Sequence, residues 1–94
     1  MIEVRQTSEA DPFAFEVVVR DAGGETRHGV TMTRATFARL AGETHTPTQC
    51  VEAAFRFLLD REPKEAILSR FDVDVIARYF PEFERALPSY FEDT

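Results

Sequence analysis

The chain has 94 residues, of which 44% are hydrophobic and 30% charged, and a net charge of −6. That length suits one folded domain, 1–94, and excludes two. The apolar fraction excludes a disordered chain, and an acidic surface without a basic stripe does not suit a nucleic-acid partner, which draws clustered Lys and Arg.

Ile2 and Val4 alternate with Glu3 and Arg5, a candidate third strand over 2–6. Phe13, Phe15, Val17 and Val19 then alternate with Ala14, Glu16, Val18 and Arg20. This period of two, in aromatic and β-branched residues, predicts a strand over 13–20 with one buried face. Asp21-Ala22-Gly23-Gly24 supplies a tight reversal, and 26–32 is the return strand, with Val30 and Met32 on its apolar face and His28 as a polar residue near the end of that face. The opposite face, with Glu16, Arg20 and Arg27, should be wet. Thr33 is an N-cap for a short helix over 34–41 with Phe37, Leu40 and Ala41 inward, ended by Gly42.

Thr46-Pro47-Thr48-Gln49 is a capping box with proline at the first helical position. It opens a helix over 47–61, ended by the residue before Pro63. Cys50, Val51, Ala54, Phe55, Phe57, Leu58 and Leu59 cover more of its circumference than a surface helix needs, so this helix is central, between the sheet and later helices. Glu52 and Arg56 form an i, i+4 pair on its outer face. Pro63 opens a further helix with Ile67, Leu68 and Phe71 as its apolar edge. Asp72 caps another over 73–80, with Val73, Ile76, Ala77 and Phe80 inward and Asp74 paired with Arg78. Pro81 starts a last turn or two with Phe83 and Leu87 inward, Pro88 ends it, and 89–94 is a frayed tail. The fold class is α+β: a small antiparallel sheet covered on one face by the central helix and short C-terminal helices. A sheet this small leaves its edges open to pairing.

Chemistry-bearing residues are sparse. Cys50 stands near a helix N-terminus, where free N–H groups stabilise a thiolate, and His45 is close enough in sequence to act as its base. A thiol-dependent activity is therefore one alternative, though no orienting third group accompanies the pair. The bland alternative is that Cys50 is a small core residue and His45 an exposed loop residue. His28, His45 and Cys50 lack the paired spacing of a zinc site. Glu62, Glu65, Asp72 and Asp74 read as a cap and a solvated face, and Gly23-Gly24 as a hairpin turn instead of a phosphate cradle. No catalytic residue, metal ligand, cofactor site or small-molecule substrate is identifiable, and the chain reads as a non-enzyme.

The lone cysteine forms no intrachain disulfide and fits a reducing cytoplasm. The N-terminus lacks a signal-peptide core, and no apolar run spans a bilayer. Every basic residue but Lys64 is arginine, as in GC-rich, bacterial codon usage. Aromatic and apolar residues exceed what one-sided helices require, and Val75, Tyr79, Phe83, Tyr90 and Phe91 are the candidate contact surface for a protein partner or self-association. The leading expectation is a bacterial, cytoplasmic interaction or regulatory module.

Two resemblances add to this. The strand His28-Gly29-Val30-Thr31-Met32, followed by helices over 34–41 and 47–60, resembles ribbon-helix-helix antitoxins and repressors over residues 27–60. The resemblance implies a dimeric DNA-binding regulator whose paired strands read the major groove, with Arg27, Gly29 and Thr31 facing DNA. The run from Phe55 to Leu68, with Phe71-Asp72 and Tyr79-Phe80-Pro81-Glu82, is similar to small bacterial proteins of uncharacterised function. It implies an intact natural domain and no particular activity.

Overall fold

Strand alternation in the first third builds a sheet with one dry face. The computed structural model describes residues 1–91, in which β1 (Ile2–Ser8), β2 (Phe13–Asp21) and β3 (Gly24–Met32) form an antiparallel meander. Phe13 pairs with Met32, Phe15 with Val30 and Val17 with His28, and all six side chains are buried on the same face. Val18 points the other way and is still buried, because its cross-strand neighbours are Glu3 and Arg27, whose long stems cover apolar surface while their charges stay wet. Arg20 and Arg27 are exposed and Glu16 half-buried, so that face is polar as expected. Gly24 takes a φ of 122° at the reversal, a conformation a β-carbon would strain. The Asp21 carboxylate accepts the Gly23 N–H at 2.8 Å.

The helix α1 (Arg34–Ala41) is capped by Thr33, whose hydroxyl accepts the Thr36 N–H at 3.1 Å, and Gly42 follows it with φ 59°. The capping box of α2 (Pro47–Leu59) is complete: Gln49 N–H donates to Thr46 Oγ1 at 3.2 Å, and Thr46 N–H donates to Gln49 Oε1 at 2.8 Å. Arg56 donates to Glu52 at 2.6 Å. Such a pair is worth roughly 0.2–0.5 kcal/mol, against roughly 1.5–3 kcal/mol for each buried Phe or Leu. Burial therefore holds α2 in place: Cys50, Val51, Ala53, Ala54, Phe55, Phe57 and Leu58 are all inside, Ala53 included, which lies outside the apolar arc expected for this helix. The regular helix stops at Leu59, two residues short of the expected 61, and Arg61 and Glu62 N–H groups both turn back to the Leu58 carbonyl at 2.9 Å.

The helix expected after Pro63 does not form. In its place lie a 3-10 turn over Lys64–Ala66 and a fourth strand, β4 (Arg70–Asp72), parallel to β3 with Gly29 opposite Arg70 and Thr31 opposite Asp72. The sheet is thus mixed, in the order β1-β2-β3-β4. Long-range bonds outweigh local helix preference here. Gly29 N–H donates to the Ser69 carbonyl at 2.8 Å, and the His28 ring lies 2.8 Å from the Leu68 carbonyl. Since a carbonyl only accepts, His28 Nδ1 carries a proton there, and Nε2 meets the Thr26 hydroxyl at 2.9 Å. His28 is therefore a buried, satisfied core residue packed on Phe55. Lys64 is buried too, with its ammonium 2.7 Å from both Asp21 and Glu65.

Asp72 caps the next turn as expected, accepting the Asp74 N–H at 2.9 Å. A 3-10 segment, Val73–Val75, leads into α3 (Ile76–Tyr79). Asp74 does not pair with Arg78. It bonds Arg39 at 3.3 Å and the buried Thr36 hydroxyl at 2.9 Å, which fastens α1 to this segment. Beyond α4 (Phe83–Ala86), a 3-10 turn over Leu87–Tyr90 contains Pro88 in its first turn. The chain thus does not end its structure at Pro88, and the tail expected from 89 is a correction for Ser89–Phe91: Phe91 is buried and stacks on His45 with ring centroids 3.9 Å apart. The rest of that expectation, 92–94, lies outside the described residues.

Candidate interaction groove

The last third must cover α2 with short pieces, and they do so unevenly. Phe57 is the centre of a closed cluster. Phe80, Phe83 and Tyr90 meet its ring edge-on at centroid distances of 5.8, 5.0 and 5.7 Å, the geometry that aromatic quadrupoles favour. The Arg61 guanidinium lies 3.7 Å from the Phe57 centroid and donates to the Tyr90 hydroxyl, which in turn donates to Asp60 at 2.6 Å.

Beside this cluster is an opening. The end of α2, the extended stretch before β4, and α3 diverge to leave a groove of about 220 Å³. Leu58, Ile67 and Ile76 form its floor, and Leu68, Val75 and Tyr79 its rim. Leu68 is 49% exposed and Tyr79 68%. Glu62 also lines it, half-buried, and has no ion pair or hydrogen-bond partner for its carboxylate among the described residues.

The structure divides the five expected surface residues. Val75 and Tyr79 share the groove. Phe83 is buried and Tyr90 half-buried against Phe57, and Phe91 is buried against His45; these three belong to the core, because a neighbouring ring closes on each. Sequence reasoning missed Leu68 and Glu62. A usable signal was Ile67-Leu68: adjacent residues of an extended segment point to opposite sides, so with Ile67 inside, Leu68 must emerge.

The other candidates fare differently. Cys50 is fully buried and burial pushes its thiol up to about 12, so the helix N-terminus does not yield a thiolate at neutral pH. The His45 ring is half-buried, engaged by Phe91 and by the Thr44 hydroxyl at 2.9 Å. Among the described residues, no group of three His, Cys, Asp or Glu side chains is placed to hold a metal ion, and no helix is long and apolar enough to cross a membrane. Arg27, Gly29 and Thr31 do share the outer face, but β3 is bonded to β2 on one side and to β4 on the other. Over residues 29–31 it has no free edge with which to pair with a twin, as a ribbon-helix-helix dimer requires, and Arg27 is held by Glu25 at 2.9 Å. No protein-family model, curated protein or solved structure matches the chain.

Proposed function

We propose that the chain is a non-enzymatic interaction module of the bacterial cytoplasm, and that the groove between α2, β4 and α3 receives an apolar segment of a protein partner that carries a basic residue beside its apolar side chains. One observation carries this reading: the exposed apolar pair Leu68 and Tyr79 rims a concave apolar floor beside the unpaired carboxylate of Glu62. Filling such a floor with one Leu or Phe side chain supplies roughly 1.5–3 kcal/mol, and the lone charge sets the orientation and the choice of partner more than the affinity. The preponderance of arginine over lysine and the lone cysteine support the assignment to a bacterial cytoplasm.

Selection of random peptides displayed on phage tests the reading. The enriched peptides should pair Leu, Ile or Phe with a neighbouring Lys or Arg. They should lose binding to Leu68→Glu and to Tyr79→Glu, and Glu62→Lys should shift the preference to acidic peptides. Peptides that bind the wild type and all three variants alike would overturn it.

A further inference from the structure

The sheet has two edges, and they differ. β4 offers three residues, whereas β1 offers seven and pairs only with β2. The Arg20 N–H donates to the Met1 carbonyl at 2.8 Å, and the Met1 nitrogen donates to the Arg20 carbonyl at 2.7 Å. Met1 and Arg20 are therefore a hydrogen-bonded pair. Such pairs alternate along an antiparallel ladder, and the register runs Ile2↔Val19, Glu3↔Val18, Val4↔Val17, Arg5↔Glu16. The backbone groups of Glu3 and Arg5 consequently turn toward β2, and those of Ile2, Val4 and Gln6 turn outward. A bulge between Gln6 and Ser8 ends the regular edge.

We infer that a second copy of the chain pairs with this edge, antiparallel, about a two-fold axis at Val4. Charge selects that register. With the axis at Val4, Glu3 faces the partner's Arg5, and Arg5 faces the partner's Glu3, in non-hydrogen-bonded pairs where side chains come closest. Moving the axis one residue either way sets Glu3 against the partner's Glu3 or Arg5 against the partner's Arg5. Intermediate registers put half-buried Ile2 and Val4 opposite outward side chains. At the chosen register Val4 meets the partner's Val4, and Ile2 meets the partner's Gln6, each pair exchanging two backbone hydrogen bonds. The outer face already carries Glu25–Arg20 and Arg20–Glu3 bridges of 2.9 Å and an Arg5–Glu16 bridge of 2.6 Å. The dimer joins them into one row of alternating sign, from Glu25 through Arg20 and Glu3 to the partner's Arg5 and the partner's Glu16. This surface is separate from the groove, and neither proposal depends on the other.

Sedimentation velocity over a concentration series up to about 1 mM, where even a weak contact of about −4 kcal/mol half-populates, should show a monomer–dimer equilibrium that weakens with added salt. Val4→Pro removes only an outward N–H, so the β1–β2 ladder keeps its bonds; the variant should keep its circular dichroism and sediment as a monomer. Glu3→Arg and Arg5→Glu should each be monomeric alone, through like charges at the axis, and should form a mixed dimer when combined in equal amounts. A wild type that stays monomeric throughout overturns the proposal. So does a folded Val4→Pro that still dimerises, which moves the contact elsewhere, or a mixture of the charge variants no more associated than its components. If the charge variants fail to fold, the wild type and Val4→Pro decide.

Discussion

The Phe57 cluster and the neighbouring groove are built from the same stretch of chain, yet one is closed and the other open. Phe80, Phe83 and Tyr90 converge on a ring that α2 presents to them, and Arg61 covers that ring from the solvent side. Leu68 and Tyr79 meet no such ring and stay exposed. Aromatic content alone does not distinguish core from contact surface. What matters is whether a neighbouring element offers a face at packing distance.

Substitutions at the two places should separate them widely. Phe83→Ala empties a fully buried site and should cost roughly 3–5 kcal/mol in chemical denaturation; a loss below about 1 kcal/mol would mean that the cluster is not closed. Cys50 gives a second readout. Alkylation at neutral pH should wait on unfolding in the wild type, accelerate in Phe83→Ala and stay slow in Tyr79→Ala; fast labelling of the wild type would show that α2 is not central. Tyr90→Phe removes the hydroxyl between Asp60 and Arg61 and should cost roughly 0.5–1.5 kcal/mol.

The groove's floor is tied to the hairpin through Lys64, which allows a pH test. Lys64 holds the Asp21 carboxyl below its usual range, with help from the Gly23 N–H, and does the same to Glu65. A carboxylate whose folded pKa is depressed contributes stability that is present above its unfolded value and lost as pH falls through the folded one. Stability should therefore decline on acidification below about pH 4, and Lys64→Met should flatten that decline. An unchanged acid slope would detach Lys64 from the effect. The smallest effect is expected of Tyr79→Ala, within about 0.5 kcal/mol; a larger loss would assign Tyr79 to the core.

Much of the fold was legible because its signals are local. The alternation in β2, the Thr46–Gln49 capping box and the Asp72 cap each depend on residues a few positions apart. The fourth strand was not legible for the opposite reason. Ile67, Leu68 and Phe71 carry helical spacing, and what overrides it is a bond to Gly29, far away in sequence. Thr36 and Lys64 were missed for the same cause: a polar side chain is buried only where a distant partner, Asp74 or Asp21, satisfies it. The groove was half-visible. Val75 and Tyr79 follow from helix periodicity, whereas Glu62 and Leu68 join them only once β4 is known to be extended.

The parallel pairing of β3 with β4 has a consequence for synthesis. Gly29 cannot find Ser69 and Arg70 until the ribosome has released about forty further residues, since a parallel connection needs its whole crossover in place. The hairpin therefore leaves the exit tunnel with Phe13, Phe15, Val17 and Val19 uncovered, and stays so until α2 follows it out. Apolar strands left uncovered during such an interval are prone to aggregation.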